Sequence, residues 1–222
     1  MPSTTLNYFG MPGRAESTRL AFAYAGKDFT DNRMTFPEYG ASKWAGKGLP
    51  VLELDGEEFS QSTAILRYAG KLAGLVPEDP LSAFKVDEIV MICVDMLGQI
   101  FKCYGQKDDA VAKTVMEGKL KSLLEVLTTK LEANSSDKFC VGDSLTIADL
   151  EVLAVIMNVQ CGAFTGIPAS FIADTAPRVK AVGDAVLGDP KVGRREGVLR
   201  IQGIGDRGPL RWSREGGPKP MA

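Results

Sequence analysis

Residues 48–70, GLPVLELDGEEFSQSTAILRYAG, hold the pattern that decides the fold. The run LPVLELDGEEFS is typical of a β-hairpin, because Asp55 and Gly56 separate two short strand-like segments and suit a tight type I′ turn. From Ser62 to Leu75 the apolar residues follow a helical spacing instead, which predicts a helix with one buried face. The stretch therefore predicts two strands and a helix in direct succession.

The residues before this stretch alternate between strand and helix patterns. Residues 4–9 are predicted to form a strand, residues 14–25 a helix that stops at Gly26, and residues 29–34 a weaker strand. A polar, irregular segment then leads to the hairpin. The resulting order βαβ(α)ββα predicts a small α/β domain over residues 1–76.

A second, all-helical domain is predicted over residues 82–192. The two prolines of VPEDPLSA, residues 76–83, mark the boundary, and the pattern beyond them is helical throughout. Residues 144–160, SLTIADLEVLAVIMNVQ, are apolar on nearly all sides, as expected of a helix enclosed by others. Thr146 and Asp149 have the spacing of a capping box at its start. An amphipathic stripe precedes it, formed by Met116, Leu120, Leu123, Leu124, Leu127 and Leu131.

Residues 193–222 differ in character from both domains. They contain ten Gly or Pro, and seven Arg or Lys against three acidic residues, with no helical or strand period. We expect a flexible tail, and the alternative is a weak anion-binding segment.

The overall composition is that of a globular protein with a small-molecule partner. The 222 residues are 45% hydrophobic, and 26 basic residues against 28 acidic ones give a net charge of −2. This balance favours neither nucleic acid nor an anionic membrane as a partner. No apolar run approaches the ~18 residues of a membrane-spanning helix. We expect a cytoplasmic protein.

The residue types available for catalysis are restricted. The sequence has no histidine, which excludes histidine general bases, Ser-His-Asp arrangements and His-ligated metals. None of the four cysteines forms a C-x-x-C pair, and their spacing does not match a zinc site, so no metal is expected. We interpret the cysteines as small apolar residues of a reduced protein.

The opening stretch itself has the features of a peptide-binding site. A proline at the start of a strand, especially a cis one, leaves the backbone of the preceding residue available to an outside chain, and here these residues are Pro50 and Leu49. Gln61 and Ser62 occupy the first turn of the next helix, where free N–H groups and the helix dipole attract a carboxylate. Taken alone, the Gln61-Ser62 pair is equally consistent with a simple helix cap.

Four segments, in this order, resemble the cytosolic glutathione transferases, and most closely the sigma class that includes the haematopoietic prostaglandin D synthases and the S-crystallins. The resemblance extends from about residue 4 to about residue 192. It implies a thioredoxin-like domain followed by an all-helical domain, and glutathione as co-substrate. The segments are LNYFGMPGRAE, LPVLELDG, SQSTAILRYAGKLAGLVP and FCVGDSLTIADLEV.

The resemblance implies that Tyr8 is the catalytic residue. A thiol with a pKa near 8.5 is mostly protonated at pH 7, and only the thiolate attacks electrophiles. A phenol that donates a hydrogen bond to the sulfur stabilises this anion. Arg14 stands where family members keep an arginine close to the tyrosine. Without the resemblance, an aromatic of the core is the favoured interpretation of Tyr8, and a surface ion pair is the alternative for Arg14.

Further glutathione-binding residues are implied in the same way. Leu49 and cis-Pro50 would pair with the cysteinyl backbone, and Gln61 and Ser62 would hold the γ-glutamyl carboxylate. The positions that bind the glycyl end depart from the sigma pattern: tryptophan is replaced by Tyr39, a Gln or Lys by Gly48, and the loop is about two residues shorter. Tyr39 and Lys43 correspond to positions that bind the glycyl end, and Lys47 is the candidate to substitute for the residue replaced by Gly48.

Asp95 is a polar residue in the apolar run IVMICVDMLGQIF. One interpretation is an ion pair or hydrogen bond between helices of one subunit. The resemblance implies another, in which the aspartate reaches across a homodimer interface to the α-amino group of glutathione in the partner.

The resemblance places the pocket for the second substrate, a small hydrophobic electrophile, at Phe9, Met11, Gly98, Lys102 and Tyr104. The leading hypothesis is a glutathione transferase. The alternatives are a glutathione-dependent isomerase or peroxidase, or a structural or binding protein like the crystallins. The presence of Tyr8, Gln61 and Ser62 favours the enzyme.

Overall fold

A four-stranded mixed sheet with helices on both faces forms the first part of the chain. The computed structural model describes residues 3–193, together with the backbone of residues 210–212 and 218–220. The strand order is β2-β1-β3-β4, with β1 and β2 parallel and the other pairs antiparallel. The elements are β1 Thr4–Phe9, α1 Glu16–Tyr24, β2 Thr30–Met34, α2 Phe36–Ala41, β3 Val51–Leu54, β4 Glu57–Ser60 and α3 Ser62–Leu72.

The hairpin predicted from the opening stretch is present between β3 and β4. Its two turn residues both have positive φ, 51° at Asp55 and 89° at Gly56, as a type I′ turn requires. The register pairs Leu6 of β1 with Leu52 of β3, and both side chains are fully buried in the main core. The predicted α/β order is confirmed, including the weak helix α2.

The second part of the chain is helical, as predicted. Its helices are α4 Pro80–Ile100, α5 Ala110–Glu117, α6 Lys119–Glu132, α7 Ile147–Gln160, α8 Phe171–Thr175, α9 Pro177–Gly188 and α10 Pro190–Gly193. The predicted amphipathic stripe is divided between two helices, because the helix is interrupted at Gly118. Met116 lies on α5, and the leucines of the stripe lie on α6. Among the helices that the structure describes, none has the length and apolar character needed to cross a membrane.

Helix α7 lies at the centre of the helical part and contacts the α/β part. All of its residues from Ile147 to Val159 are buried. The predicted capping box is confirmed, since the Asp149 carboxylate accepts hydrogen bonds of 2.7 Å from both the backbone N–H and the hydroxyl of Thr146. The Ile147 N–H donates to the Leu75 carbonyl at 3.0 Å. This bond joins the start of α7 to the segment between α3 and α4, where the domain boundary is predicted.

The predicted flexible tail lies largely outside the described residues. Within it, Leu210–Trp212 (β5) and Pro218–Pro220 (β6) pair as an antiparallel ribbon. The sequence pattern does not predict this ribbon.

Candidate active site

Tyr8 lies near the end of β1, and its hydroxyl meets the turn that leads into α1. The backbone N–H of Arg14 donates a hydrogen bond of 3.0 Å to this hydroxyl. The turn approaches the ring so closely that a Cβ atom on Gly13 would overlap the Tyr8 hydroxyl and ring carbons. Gly13 also has a φ of 51°. Only glycine meets both requirements without strain.

The surroundings of Tyr8 keep its phenol protonated at neutral pH. The side chain is 4% exposed. Burial raises the phenol pKa, and the Arg14 N–H bond and the charges of Arg19 and Arg14 oppose this only in part. Because the Arg14 N–H is the donor, the hydroxyl keeps its own proton, and no group in residues 3–193 accepts it. The Tyr8 hydroxyl is therefore available to donate a hydrogen bond to a ligand.

Arg19 stabilises the loop between β1 and α1 by hydrogen bonds to the loop backbone. Its guanidinium is fully buried and donates to three backbone carbonyls, those of Phe9 at 3.1 Å, Met11 at 3.0 Å and Pro12 at 3.3 Å. It also pairs with the carboxylates of Glu16 at 3.0 Å and Asp31 at 2.9 Å. The same group lies 5.7 Å from the centre of the Tyr8 ring. These bonds fix the loop that runs from Tyr8 to Arg14.

Asn158 of α7 holds the same loop from the helical side. Its side-chain oxygen accepts from the Gly13 N–H at 3.0 Å, and its side-chain nitrogen donates to the Gly13 carbonyl at 3.1 Å and to the Ala154 carbonyl at 2.8 Å. Asn158 is fully buried. The turn beside Tyr8 is thus held by Arg19 of the α/β part and by Asn158 of the helical part.

Gln61 and Ser62 lie at the start of α3, as predicted. Gln61 has φ 76° and ψ 102°, a conformation that costs a non-glycine residue about 1–3 kcal/mol. Its side chain is exposed and makes no capping bond to the helix. The alternative of a simple cap is not realised. No acidic residue occupies the first turn of α3, so nothing on this turn competes for an incoming carboxylate.

The Leu49-Pro50 peptide bond is cis, as predicted. Leu49 is separated from β3 by Pro50 and lies beyond the last ladder pair, Asn7 with Val51. Outside the strand ladders, neither the N–H nor the carbonyl of Leu49 forms a hydrogen bond with another backbone group in residues 3–193. An extended backbone can therefore pair with Leu49.

The loop predicted to hold the glycyl end is organised by internal contacts. The Tyr39 hydroxyl accepts from the backbone N–H groups of Gly46 at 3.0 Å and Gly48 at 3.4 Å. The Lys43 ammonium forms ion pairs with Glu53 at 2.8 Å and Glu58 at 2.5 Å. Lys43 is therefore already paired. Lys47 is exposed in the same loop.

Comparison with known proteins identifies the family of the chain. Residues 4–71 match the family described as Glutathione S-transferase, N-terminal domain, and residues 94–194 match Glutathione S-transferase, C-terminal domain. The chain belongs to the glutathione S-transferase family. The resemblance stated from the sequence is confirmed at this level.

Individual relatives agree with the family assignment. Glutathione S-transferase 1 of Ascaris suum is 34% identical over 162 residues, which cover 68% of this chain and 78% of that protein. Hematopoietic prostaglandin D synthase of Gallus gallus is 32% identical over 198 residues, covering 86% and 94%. The structure of monomeric Na-GST-3, a glutathione S-transferase from the hookworm Necator americanus, superposes with a TM-score of 0.70 at 26% identity, covering 86% and 95%.

In this glutathione S-transferase, Asp95 lies on the exposed face of α4. Within residues 3–193, no ion pair or hydrogen bond engages the Asp95 carboxylate. The predicted ion pair or hydrogen bond between helices of one subunit is therefore wrong for this part of the chain. The buried face of the same helix includes Val90, Cys93 and Met96 of the apolar sequence around Asp95.

The residues predicted for the second-substrate pocket are brought together only in part. Phe9 and Tyr104 are linked through Phe36 of α2, whose ring centre lies 4.7 Å from that of Phe9 and 5.7 Å from that of Tyr104. Gly98 lies beside the Arg14 guanidinium. Lys102 is exposed and donates to Gln99 at 2.6 Å, while Met11 is buried in the core.

Three residues of the site are missing from the sequence prediction. Asn158 is one of the few polar residues of the largely apolar helix α7, and this contrast is the signal that points to it. Arg19 follows Glu16 by three residues, a spacing that also suits a surface ion pair. Phe36 stands in a segment without a clear period, where no pattern identifies it.

Proposed function

We propose that the chain conjugates glutathione to small electrophiles, with Tyr8 donating its hydroxyl proton in a hydrogen bond to the glutathione sulfur. The observation that carries this is the orientation of the Arg14–Tyr8 bond, in which the phenol accepts and keeps its proton. A buried, neutral donor favours a thiolate over a thiol, because it stabilises only the charged form.

The proposed glutathione site extends from Tyr8 to the start of α3. The free backbone of Leu49 beside cis-Pro50 would pair with the cysteinyl backbone, and Gln61 with Ser62 would bind the γ-glutamyl carboxylate at the positive end of the helix dipole. At the glycyl end, Lys47 is the stronger candidate, since Lys43 already pairs with two carboxylates. Tyr39 would contribute by ordering this loop.

A homodimer is the second part of the proposal. Exposed apolar side chains line neighbouring faces of α3 and α4, where Arg67 pairs with Asp87. They are Tyr68 and Leu72 on α3, and Leu81, Phe84 and Met91 on α4. We call these five residues the α3–α4 patch. A patch of this kind typically marks an interaction surface. Asp95 follows Met91 by one turn on α4, so a second copy seated on the patch would bring this carboxylate towards the partner's glutathione.

The second substrate would lie over the aromatic residues Phe9, Phe36 and Tyr104, beside Gly98 and Lys102. These rings favour a flat or hydrophobic electrophile. We place the enzyme in the sigma class, as a cytoplasmic detoxifying transferase, on the motifs LNYFGMPGRAE and SQSTAILRYAG.

Turnover of a general aromatic electrophile with glutathione tests the proposal. Wild type and Tyr8→Phe are compared, with glutathione affinity measured by calorimetry. We expect a loss in kcat on the order of 10²-fold or more for Tyr8→Phe, with little change in glutathione affinity. Equal kcat in the two proteins would remove Tyr8 from the proposed role. Inactive wild type that still binds glutathione would favour the structural or binding alternative.

A further inference from the structure

Two carboxylates face each other across the hairpin of β3 and β4. Glu53 of β3 and Glu58 of β4 are direct partners in the strand register, so their side chains project from the same face of the sheet. Like charges in this arrangement destabilise a sheet. The Lys43 ammonium lies between them, 2.8 Å from Glu53 and 2.5 Å from Glu58, and offsets the repulsion. Lys43 therefore stabilises the hairpin itself.

Lys43 and its partners are fixed by further contacts. The ammonium lies 4.9 Å from the centre of the Trp44 ring, within the range of a cation–π interaction, and Trp44 is buried. The second carboxylate oxygen of Glu53 accepts a hydrogen bond of 3.0 Å from the side chain of the buried Asn7 of β1. Release of Lys43 to a ligand would leave two facing carboxylates without their cation.

Backbone donors of the loop that contains Lys43 are engaged as well. The N–H groups of Gly46 and Gly48 donate to the Tyr39 hydroxyl, at 3.0 and 3.4 Å, and the Lys47 N–H donates to the Trp44 carbonyl at 2.8 Å. Free backbone N–H groups are a common means of binding an anion, and these three are already bound. Of the two lysines in residues 39–48, Lys47 is the one left for an incoming carboxylate.

This loop is where the proposed site places the glycyl end of glutathione. With the γ-glutamyl end at the start of α3 and the cysteinyl backbone at Leu49, an extended tripeptide directs its third residue towards the segment that precedes Leu49. Lys43 and Lys47 contribute two positive charges there. Glu53 and Glu58 contribute two negative ones. A carboxylate therefore gains little electrostatic stabilisation at this end of the site.

We infer that the glycyl end of this site does not select for a carboxylate, so that the enzyme also accepts γ-glutamylcysteinyl peptides whose C-terminal end is uncharged. The C-terminal amide of glutathione is the simplest thiol of this class. It keeps the thiol, the cysteinyl backbone and the γ-glutamyl carboxylate that the rest of the site would bind. The inference rests on the proposed function, because it needs the tripeptide bound along Leu49 with its sulfur at Tyr8.

Calorimetric titration of the wild type with glutathione and with its C-terminal amide tests the inference. The quantity compared is the Kd of the amide divided by the Kd of glutathione. We expect a ratio of about five at most, as for one ion pair with an exposed lysine. Charge-assisted hydrogen bonds to the glycyl carboxylate would instead give a ratio of roughly ten or more. A ratio clearly above five would overturn the inference.

Glu58→Gln provides a second measurement, because it removes one of the two carboxylates that hold Lys43. We expect glutathione to bind more tightly and the amide to bind as before, so the Kd ratio should rise about two- to fivefold. Glu57→Gln is the matched control, since Glu57 is the preceding residue of β4, is also exposed, and projects from the other face of the strand. Its ratio should equal that of the wild type. Equal ratios in the two variants would overturn the inference.

Failure of the inference differs from failure of the proposed function. If the wild type binds and conjugates glutathione but binds the amide far more weakly, only the account of the glycyl end is wrong. If the wild type binds neither peptide, the proposed function fails, and the inference fails with it.

Discussion

The backbone N–H of Arg14 donates a hydrogen bond of 3.0 Å to the hydroxyl of Tyr8, and this bond determines what the phenol can do. A hydroxyl that accepts from the backbone keeps its own proton for a ligand. The Arg14 N–H can make this bond only while the preceding turn holds its shape. Residues that shape the turn should therefore affect catalysis without touching glutathione.

Gly13 is the first of these residues. In Gly13→Ala the new Cβ overlaps the Tyr8 hydroxyl, so we expect loss of kcat together with a destabilisation of about 2 kcal/mol or more. Gly26→Ala is a matched control, because Gly26 also has positive φ, 63°, but has nothing within 4 Å of a Cβ. It should cost about 1 kcal/mol and leave kcat intact. Chemical unfolding and steady-state kinetics measure both effects, and similar kinetics in the two variants would contradict the assignment.

Asn158 is the second residue that shapes the turn. Asn158→Ala leaves the N–H and carbonyl of Gly13 without their partner, and we expect a loss of stability of about 2–4 kcal/mol and a lower kcat. Asn134→Ala is the control, since Asn134 makes a similar pair of bonds to the N–H and carbonyl of Gly142 in a loop of the helical part. It should reduce stability alone. A kcat for Asn158→Ala equal to that of Asn134→Ala would show that the Asn158 clamp does not act on catalysis.

Gln61 should act on binding rather than on chemistry. Gln61→Ala removes an exposed amide proposed to hold a carboxylate, so we expect glutathione affinity to fall roughly 10- to 100-fold, as for one hydrogen bond to a charged group. The kcat at saturating glutathione should change little. Calorimetric titration with glutathione measures the affinity, and an unchanged Kd would remove Gln61 from the site.

Stability should fall with rising pH because of Glu151. Its pKa is raised in the folded state to about 7 from 4.5, so its favourable contribution is present below pH 4.5 and is lost as the pH rises through 7. The full effect is about 3 kcal/mol. Glu151→Gln should therefore gain stability relative to wild type at pH 8 but not at pH 4.5. Denaturant unfolding at both pH values provides the measurement, and a pH-independent difference would contradict the shift.

The α3–α4 patch predicts the oligomeric state. Phe84 of this patch is 65% exposed, and Phe84→Glu should convert a dimer into monomers because it places a charge in an apolar interface. Val126→Glu changes another exposed apolar residue, 47% exposed on α6, and should leave the dimer intact. Sedimentation equilibrium distinguishes the outcomes. A monomeric wild type, or a dimeric Phe84→Glu, would overturn the proposed interface.

Much of the fold follows from local patterns in the sequence. Asp55-Gly56 predicts the hairpin turn because few residues adopt positive φ, and Thr146 with Asp149 predicts the start of α7 because the capping box is a local device. The position of Gln61 and Ser62 at the start of α3 is predicted from the change to a helical pattern, whereas the cis bond before Pro50 is implied by the family resemblance.

The contacts between distant elements do not follow from such patterns. Arg19 has the sequence features of a surface residue, yet it is buried because the carbonyls of the Tyr8 loop and two carboxylates surround it. Lys43 is predicted to meet a ligand but pairs with Glu53 and Glu58, which the hairpin brings beside it. Periodicity identifies the buried face of a helix, but it does not identify the residues of the element packed against that face.

The most direct measurement of the central claim is the ionisation of glutathione bound to the protein. The thiolate absorbance is titrated with pH in wild type and in Tyr8→Phe. The account predicts a thiol pKa clearly below the ~8.5 of a free thiol in wild type, and a rise of about one unit or more in Tyr8→Phe. The same thiol pKa in both proteins would contradict it.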